Sequence, residues 1–181
     1  KNFLKTLCSL PIAFSARVCY NIYSKGEHPK EREDNNMTTI TMTTIERTYK
    51  NNGQHAEQAL AYTLTHEIRK HDHVAYDKGS DIPEFHMSVK SSKASLMSAK
   101  FCESENKSDI IAQFVTKSAS TCFAYVVADF SKAYVMDGNE FTQFCELFSN
   151  TTRESSKNGG GVKVQIYAES AKMLRWLEGQ I

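Results

Sequence analysis

The sequence predicts an α/β protein with a central mixed sheet flanked by helices. Residues 54–70 carry Ala56, Ala59, Leu60, Thr63, Leu64 and Ile68 on one stripe at three- and four-residue spacing, the period of a surface helix. Residues 121–128 read Thr-Cys-Phe-Ala-Tyr-Val-Val-Ala, an unbroken apolar run with β-branched and aromatic residues, the text of a strand covered on both faces. Helical and extended segments alternate along the rest of the chain, which sets helices against a sheet.

Composition bounds the possibilities. A chain of 181 residues suits one domain with a proper core, and 40% hydrophobic with 24% charged residues is ordinary for a globular protein. Residues 1–36 hold six Lys/Arg and four Asp/Glu of the 22 and 21 in the chain, leaving 16 and 17 for the remainder. No global basic field advertises nucleic acid, so a polyanion would have to be met by a local patch. The five cysteines are odd in number and lack CxxC spacing, which argues against a zinc site and a disulfide framework. Cys122 and Cys145 lie in apolar text and read as buried thiols.

The first twenty residues have the outline of a signal peptide, with early lysines and Ala13-Phe14-Ser15-Ala16 as a small-residue cleavage site. Lys5 and Pro11 interrupt the apolar run, which is too short to span a bilayer. Composition changes at Met37, and codons for Arg32-Glu33-Asp34 can spell a purine-rich ribosome-binding sequence one ribosomal spacing ahead of it. Residues 1–36 are therefore expected to be translated upstream sequence or a disordered leader. The domain is expected at 37–181, in the cytoplasm.

Within 37–181 the Thr-rich stretch 37–51 reads as an irregular or weakly extended lead-in. Asn51-Asn52-Gly53 is a turn and cap signal ahead of the helix at 54–70, whose last turn carries Arg69 and Lys70 where cations suit the dipole. A short strand at 73–76 is expected in the connection that follows. His71 and His73 there read as a solvated helix exit. Residues 85–91 alternate Phe85, Met87 and Val89 against His86, Ser88 and Lys90, a half-buried strand, and 94–99 can continue as the next one. Ser104 to Asn106 supply cap chemistry for a helix at 106–118 with Ile110, Ile111, Phe114 and Val115 on its apolar face. A strand at 132–137 and a helix from Gly138 to about 149 follow the buried run. Residues 150–161 are polar, end in three glycines and read as a loop. An outer strand at 162–167 and a closing amphipathic helix at 168–178 complete the order.

One cluster carries chemistry. Asp81 follows a Gly79-Ser80 turn, and Lys90 stands nine residues on, toward the end of a strand and among the hydroxyls of Ser88, Ser91 and Ser92. The upstream helix brings Glu57. A helix with a glutamate, a turn with Asp, a strand closing in Lys, then a helix and a buried strand resembles the PD-(D/E)xK nuclease core of many restriction and repair endonucleases, over residues 54–130. The resemblance implies that Asp81 is the first metal-binding acid, Lys90 the lysine that ends the motif, and Glu57 the helix acid of part of the family. Ser88 stands where the family has its second acid, so either another acid takes that place, Glu57 ahead of Glu84, or metal binding is weak or absent.

The implied activity is magnesium-dependent hydrolysis of phosphodiester bonds in double-stranded DNA, of restriction type, by a homodimer matched to duplex symmetry. Ser91, Ser92, Lys93 and Lys100 would contact the DNA backbone. The alternative is a non-catalytic DNA-binding or interaction module on the same fold. No P-loop, nucleophile elbow or dinucleotide fingerprint appears, and the Gly159-Gly160-Gly161 run precedes a strand, so it is no phosphate cradle.

Overall fold

The computed structural model of the protein describes residues 37–47, 51–67, 80–96, 104–155 and 160–181. The expected leader, the short strand at 73–76, Arg69, Lys70, His71, His73 and Lys100 lie outside them. In chain order the elements are β1 (Thr38–Thr41), α1 (Asn52–Thr65), a 3-10 turn (Pro83–Phe85), β2 (Met87–Ser91), α2 (Lys107–Lys117), β3 (Cys122–Val126), β4 (Lys132–Met136), α3 (Gly138–Phe148), β5 (Ser149–Arg153), β6 (Val162–Ile166) and α4 (Ala171–Leu177).

Four strands form a mixed sheet in the order β1-β4-β3-β2. β1 and β4 are antiparallel, as are β4 and β3, while β3 and β2 run parallel with Lys90 opposite Tyr125. All five residues of β3 are buried. Cys122, Ala124 and Val126 look toward α1, with Ala133 and Val135 of β4 beside them. Phe123 and Tyr125, with Tyr134 and Met136, join the opposite layer of α2, α3 and α4. A continuous apolar run is what a strand needs when helices cover both of its faces.

The helices start where side chains can satisfy their free N–H groups. Asn51 accepts from the Gly53 N–H at 2.8 Å and caps α1. The helix begins two residues before the expected 54 and closes at His66, which turns left-handed at φ 59° and donates its N–H to the Tyr62 carbonyl. Asn106 accepts from Ser108 and Asp109 to cap α2, close to the expected start. Asp137 and Glu140 form a capping box at α3: Asp137 accepts from the Asn139 and Glu140 N–H groups at 2.9 Å, and Glu140 accepts from the Asp137 N–H at 2.8 Å. Gly138 lets α3 begin against α2, because a Cβ there would lie 3.1 Å from Val115 Cγ1.

Two expectations change. The lead-in holds a real strand, β1, with Ile40 as its buried apolar residue; four residues are too few to show a period. The loop expected at 150–161 begins as β5, antiparallel to β6 from Ser149↔Ile166 to Arg153↔Val162. Asn150, Thr151 and Arg153 are exposed, so this strand is held by its backbone ladder and has no apolar pattern to read. On the other side of β6, the Leu96 N–H donates to the Val164 carbonyl at 3.0 Å and the Ile166 N–H to the Ala94 carbonyl at 2.9 Å. That pairing carries the expected continuation after β2, of which 97–99 lie outside the described residues.

Cys122 and Cys145 are buried free thiols, and burial pushes the Cys145 thiol up. Among the described residues no helix is long and apolar enough to cross a membrane. Asp137→Ala removes the two hydrogen bonds at the start of α3 and is expected to cost about 1 kcal/mol. A lower urea midpoint with an unchanged m-value is the expected reading, and an unchanged midpoint would show the box to be dispensable.

Candidate active site

A tight return of the chain places Asp81 beside β2. Ile82 and Met87 exchange backbone hydrogen bonds at 3.0 and 3.2 Å, so residues 80–82 lie antiparallel to the start of the strand. The buried Ser80 hydroxyl donates to the Met87 carbonyl at 3.1 Å and fixes the same return. Between them Pro83 opens the 3-10 turn, where its fixed φ fits and no N–H is required. His86 follows at φ 46°, and its carbonyl accepts from the Thr121 and Cys122 N–H groups, tying the turn to β3. Phe85 and His86, expected in the strand, belong to this turn. The strand itself is buried on both faces through Met87, Ser88 and Val89, not half-buried.

Because residues two apart share a face, Ser88 and Lys90 point the same way, and Asp81 lies across from them. Asp81 Oδ2 accepts from the Val89 N–H at 2.6 Å, from Ser88 Oγ at 3.0 Å and from Lys90 Nζ at 3.5 Å. Lys90 Nζ also donates to Ser88 Oγ and to the Val89 carbonyl, both at 3.1 Å. Ser88 is 3% exposed. The Lys90 and Asp81 side chains are 14% and 27% exposed, so the ion pair lies mostly out of water but within reach of it. The ammonium also stands over the Phe114 ring, 5.3 Å from its centre.

Glu57 reaches the same electrostatic environment from α1, whose neighbouring Ala56 and Leu60 are fixed in the core. Burial first, and then the negative charge of Asp81, push its carboxyl up to about 7, with Lys90 acting in the opposite sense. Asp81, Lys90 and Glu57 are thus close enough to sense one another's charge.

The other expected residues are placed differently. Glu84 is exposed on the 3-10 turn. Ser91 is buried at 5% exposure, so its hydroxyl is not available to a ligand outside the fold. Ser92 is half-buried and accepts from the Glu169 N–H at 3.2 Å. Lys93 is exposed, with a left-handed φ of 64°. Lys100 lies outside the described residues. Phe114 was legible only as part of an apolar helix face, and Glu169 carried no sequence signal.

Among the described residues no group of three or more His, Cys, Asp or Glu is gathered as a metal-binding set. Asp81 and Glu57 make a two-carboxylate set of hard oxygens. Magnesium commonly takes one or two protein carboxylates and keeps several waters. A divalent cation would also relieve the Glu57 carboxyl, which burial and then the Asp81 charge push up, so the residues present fit such an ion. Comparison with protein-family models, with curated proteins and with solved structures returns no match.

The raised Glu57 pKa gives a signed dependence on pH. The folded state holds the Glu57 proton above the ordinary value near 4.5, so its contribution to stability is complete below that value and is lost as pH rises through about 7. The wild type is expected to lose up to about 3 kcal/mol from this group between those limits, and Glu57→Gln to flatten that part of the profile. Denaturation series across pH check it; an identical profile in the variant would remove Glu57 as the source.

Proposed function

We propose that the protein is a magnesium-dependent endonuclease of restriction type that hydrolyses phosphodiester bonds in double-stranded DNA. The observation that carries this reading is the convergence of Ser88, the Val89 N–H and Lys90 on Asp81 Oδ2, with Glu57 close enough to feel both charges. The order α1, return with Asp81, β2 with Lys90, α2 and β3 is also the order of the PD-(D/E)xK core. A restriction-endonuclease-like core is therefore part of the proposal.

Asp81 and Glu57 would hold the magnesium ion. When bound, the ion supplies positive charge against the charge that develops on the attacked phosphate. Lys90 supplies a second, fixed positive charge beside the same phosphate, on a stem restrained by three oxygens. Ser88 holds Lys90 and Asp81 in register. Glu57 becomes fully anionic only above about pH 7, so the site reaches its full negative charge there. Of the residues expected at the DNA backbone, exposed Lys93 is the best presented, with Ser92 beside it and Lys100 as a further contact. Duplex symmetry favours a homodimer.

A second reading, a DNA-binding module without catalysis, is favoured by one observation: Ser88 occupies the position of the family's second acid and is buried with its hydroxyl engaged. Supercoiled plasmid in millimolar magnesium separates the two. The wild type is expected to nick and linearise it. Asp81→Asn and Lys90→Ala are expected to slow cleavage about a hundredfold or more, and a chelator to stop it. Retention of duplex DNA without cleavage would favour the second reading, and undiminished cleavage in both variants would end the assignment of this site.

A further inference from the structure

We propose that Phe114 is a positioning residue: its ring face is the seat that holds the Lys90 ammonium over Asp81 and Ser88. A lysine side chain has four rotatable bonds, and an ammonium that must stay at one point needs restraint from more than one side. The oxygens of Asp81, Ser88 and Val89 all belong to β2 and the return beside it. Phe114 comes from another element, α2, and its ring lies 5.3 Å from the ammonium, within the roughly 6 Å over which a ring quadrupole attracts a cation.

The ring is itself braced. Its centre lies 6.0 Å from that of Phe123 and 5.9 Å from that of Phe141. Phe123 and Phe141 are stacked at 4.6 Å, both fully buried. The position of the ring is therefore set by the core and not by the lysine, as a seat requires. With Lys90 14% exposed, the contact is shielded from much of the solvent screening that weakens such pairs on a surface. A merely apolar role for residue 114 would be met by any side chain of similar volume, whereas a seat for a cation needs an aromatic face.

The function of Lys90 as a phosphate-facing cation rests on the nuclease reading; its seat on Phe114 does not. The experiment has two arms accordingly. In protein carrying 13C-labelled lysine, with Lys90 identified by its loss in Lys90→Gln, the Lys90 Hε resonances are expected upfield of ordinary lysine positions because the ammonium next to them lies over a ring. Phe114→Leu is expected to return them downfield, and Phe114→Tyr to keep them upfield. Lys90 Hε at ordinary positions in the wild type would overturn the proposal without any variant. So would a Phe114→Leu protein with native dispersion and an unmoved Lys90 signal.

In the second arm, plasmid cleavage by Phe114→Leu is expected to lose kcat about three- to thirtyfold with KM for DNA nearly unchanged, and Phe114→Tyr to restore it. Equal cleavage by the leucine variant and the wild type would overturn the positioning role. A wild type that does not cleave DNA defeats the nuclease reading alone, and the spectroscopic arm then decides the seat.

Discussion

The parallel pairing of β2 with β3 is the constraint on which the rest depends. Parallel neighbours cannot be joined by a tight turn, so the chain must cross over the sheet between them, and α2 lies on that crossover. The crossover lays α2 on the face toward which Ser88 and Lys90 point. A lysine in a strand so covered faces a helix instead of water. Desolvating its ammonium costs several kcal/mol unless opposite charge and hydrogen-bond acceptors offset the loss. Asp81, Ser88, the Val89 carbonyl and the Phe114 ring meet that demand together. The return at Ile82–Met87 is what brings Asp81 to the strand in time to do so.

Ser88 gains a positive role from this geometry. A lysine ammonium only donates, and a carboxylate only accepts, so the hydroxyl between them is directed: Lys90 donates to Ser88, and Ser88 donates to Asp81. A carboxylate at position 88 would stand within about 3 Å of Asp81, where two like charges resist joint ionisation. Glu57 feels the Asp81 charge from another element, and its carboxyl is pushed up by burial first and by that charge second. On the nuclease reading, Glu57 of α1 would supply from the helix the acid that the strand lacks.

Much of the fold was legible because its period survives in the side chains. α1, α2, α3, β3, β4 and β6 all carry apolar text on the face they bury, and cap text at Asn51 and Asn106 marks the starts of α1 and α2, whereas Asp137, which caps α3, read as the end of a strand. β5 was not legible, since its exposed Asn150, Thr151 and Arg153 are chosen by solvent and the strand is fixed by partners at Val162 to Ile166. The alternation at 85–91 correctly put Ser88 and Lys90 on one face. It could not reveal that a helix covers that face too, which is why β2 was read as half-buried. Asp81 and Lys90 could be linked by local spacing. The seat on Phe114 joins residues 24 apart through the packing of α2, and no spacing rule reports it.

The far end of β2 limits what the site can offer to a large anion. The Glu169 N–H donates to Ser92, and its carboxylate accepts from the Ala128 N–H at 2.9 Å, so the approach to α4 is stitched across the ends of β2 and β3. The fully enclosed Tyr125 hydroxyl lies beside Ser92 and Glu169 without a hydrogen bond of good geometry, and burial followed by the Glu169 charge holds its proton on. Ser91 is buried and Ser92 is engaged at this closed end, while Lys93 at the turn is the one cation there that faces out among the described residues. With the formal charges of Asp81 and Lys90 cancelling, the inner site turns from neutral to negative as Glu57 loses its proton near pH 7. On the nuclease reading, an anionic backbone would be drawn by Lys93 and resisted by the carboxylates within, and a divalent cation held by Asp81 and Glu57 would offset that resistance.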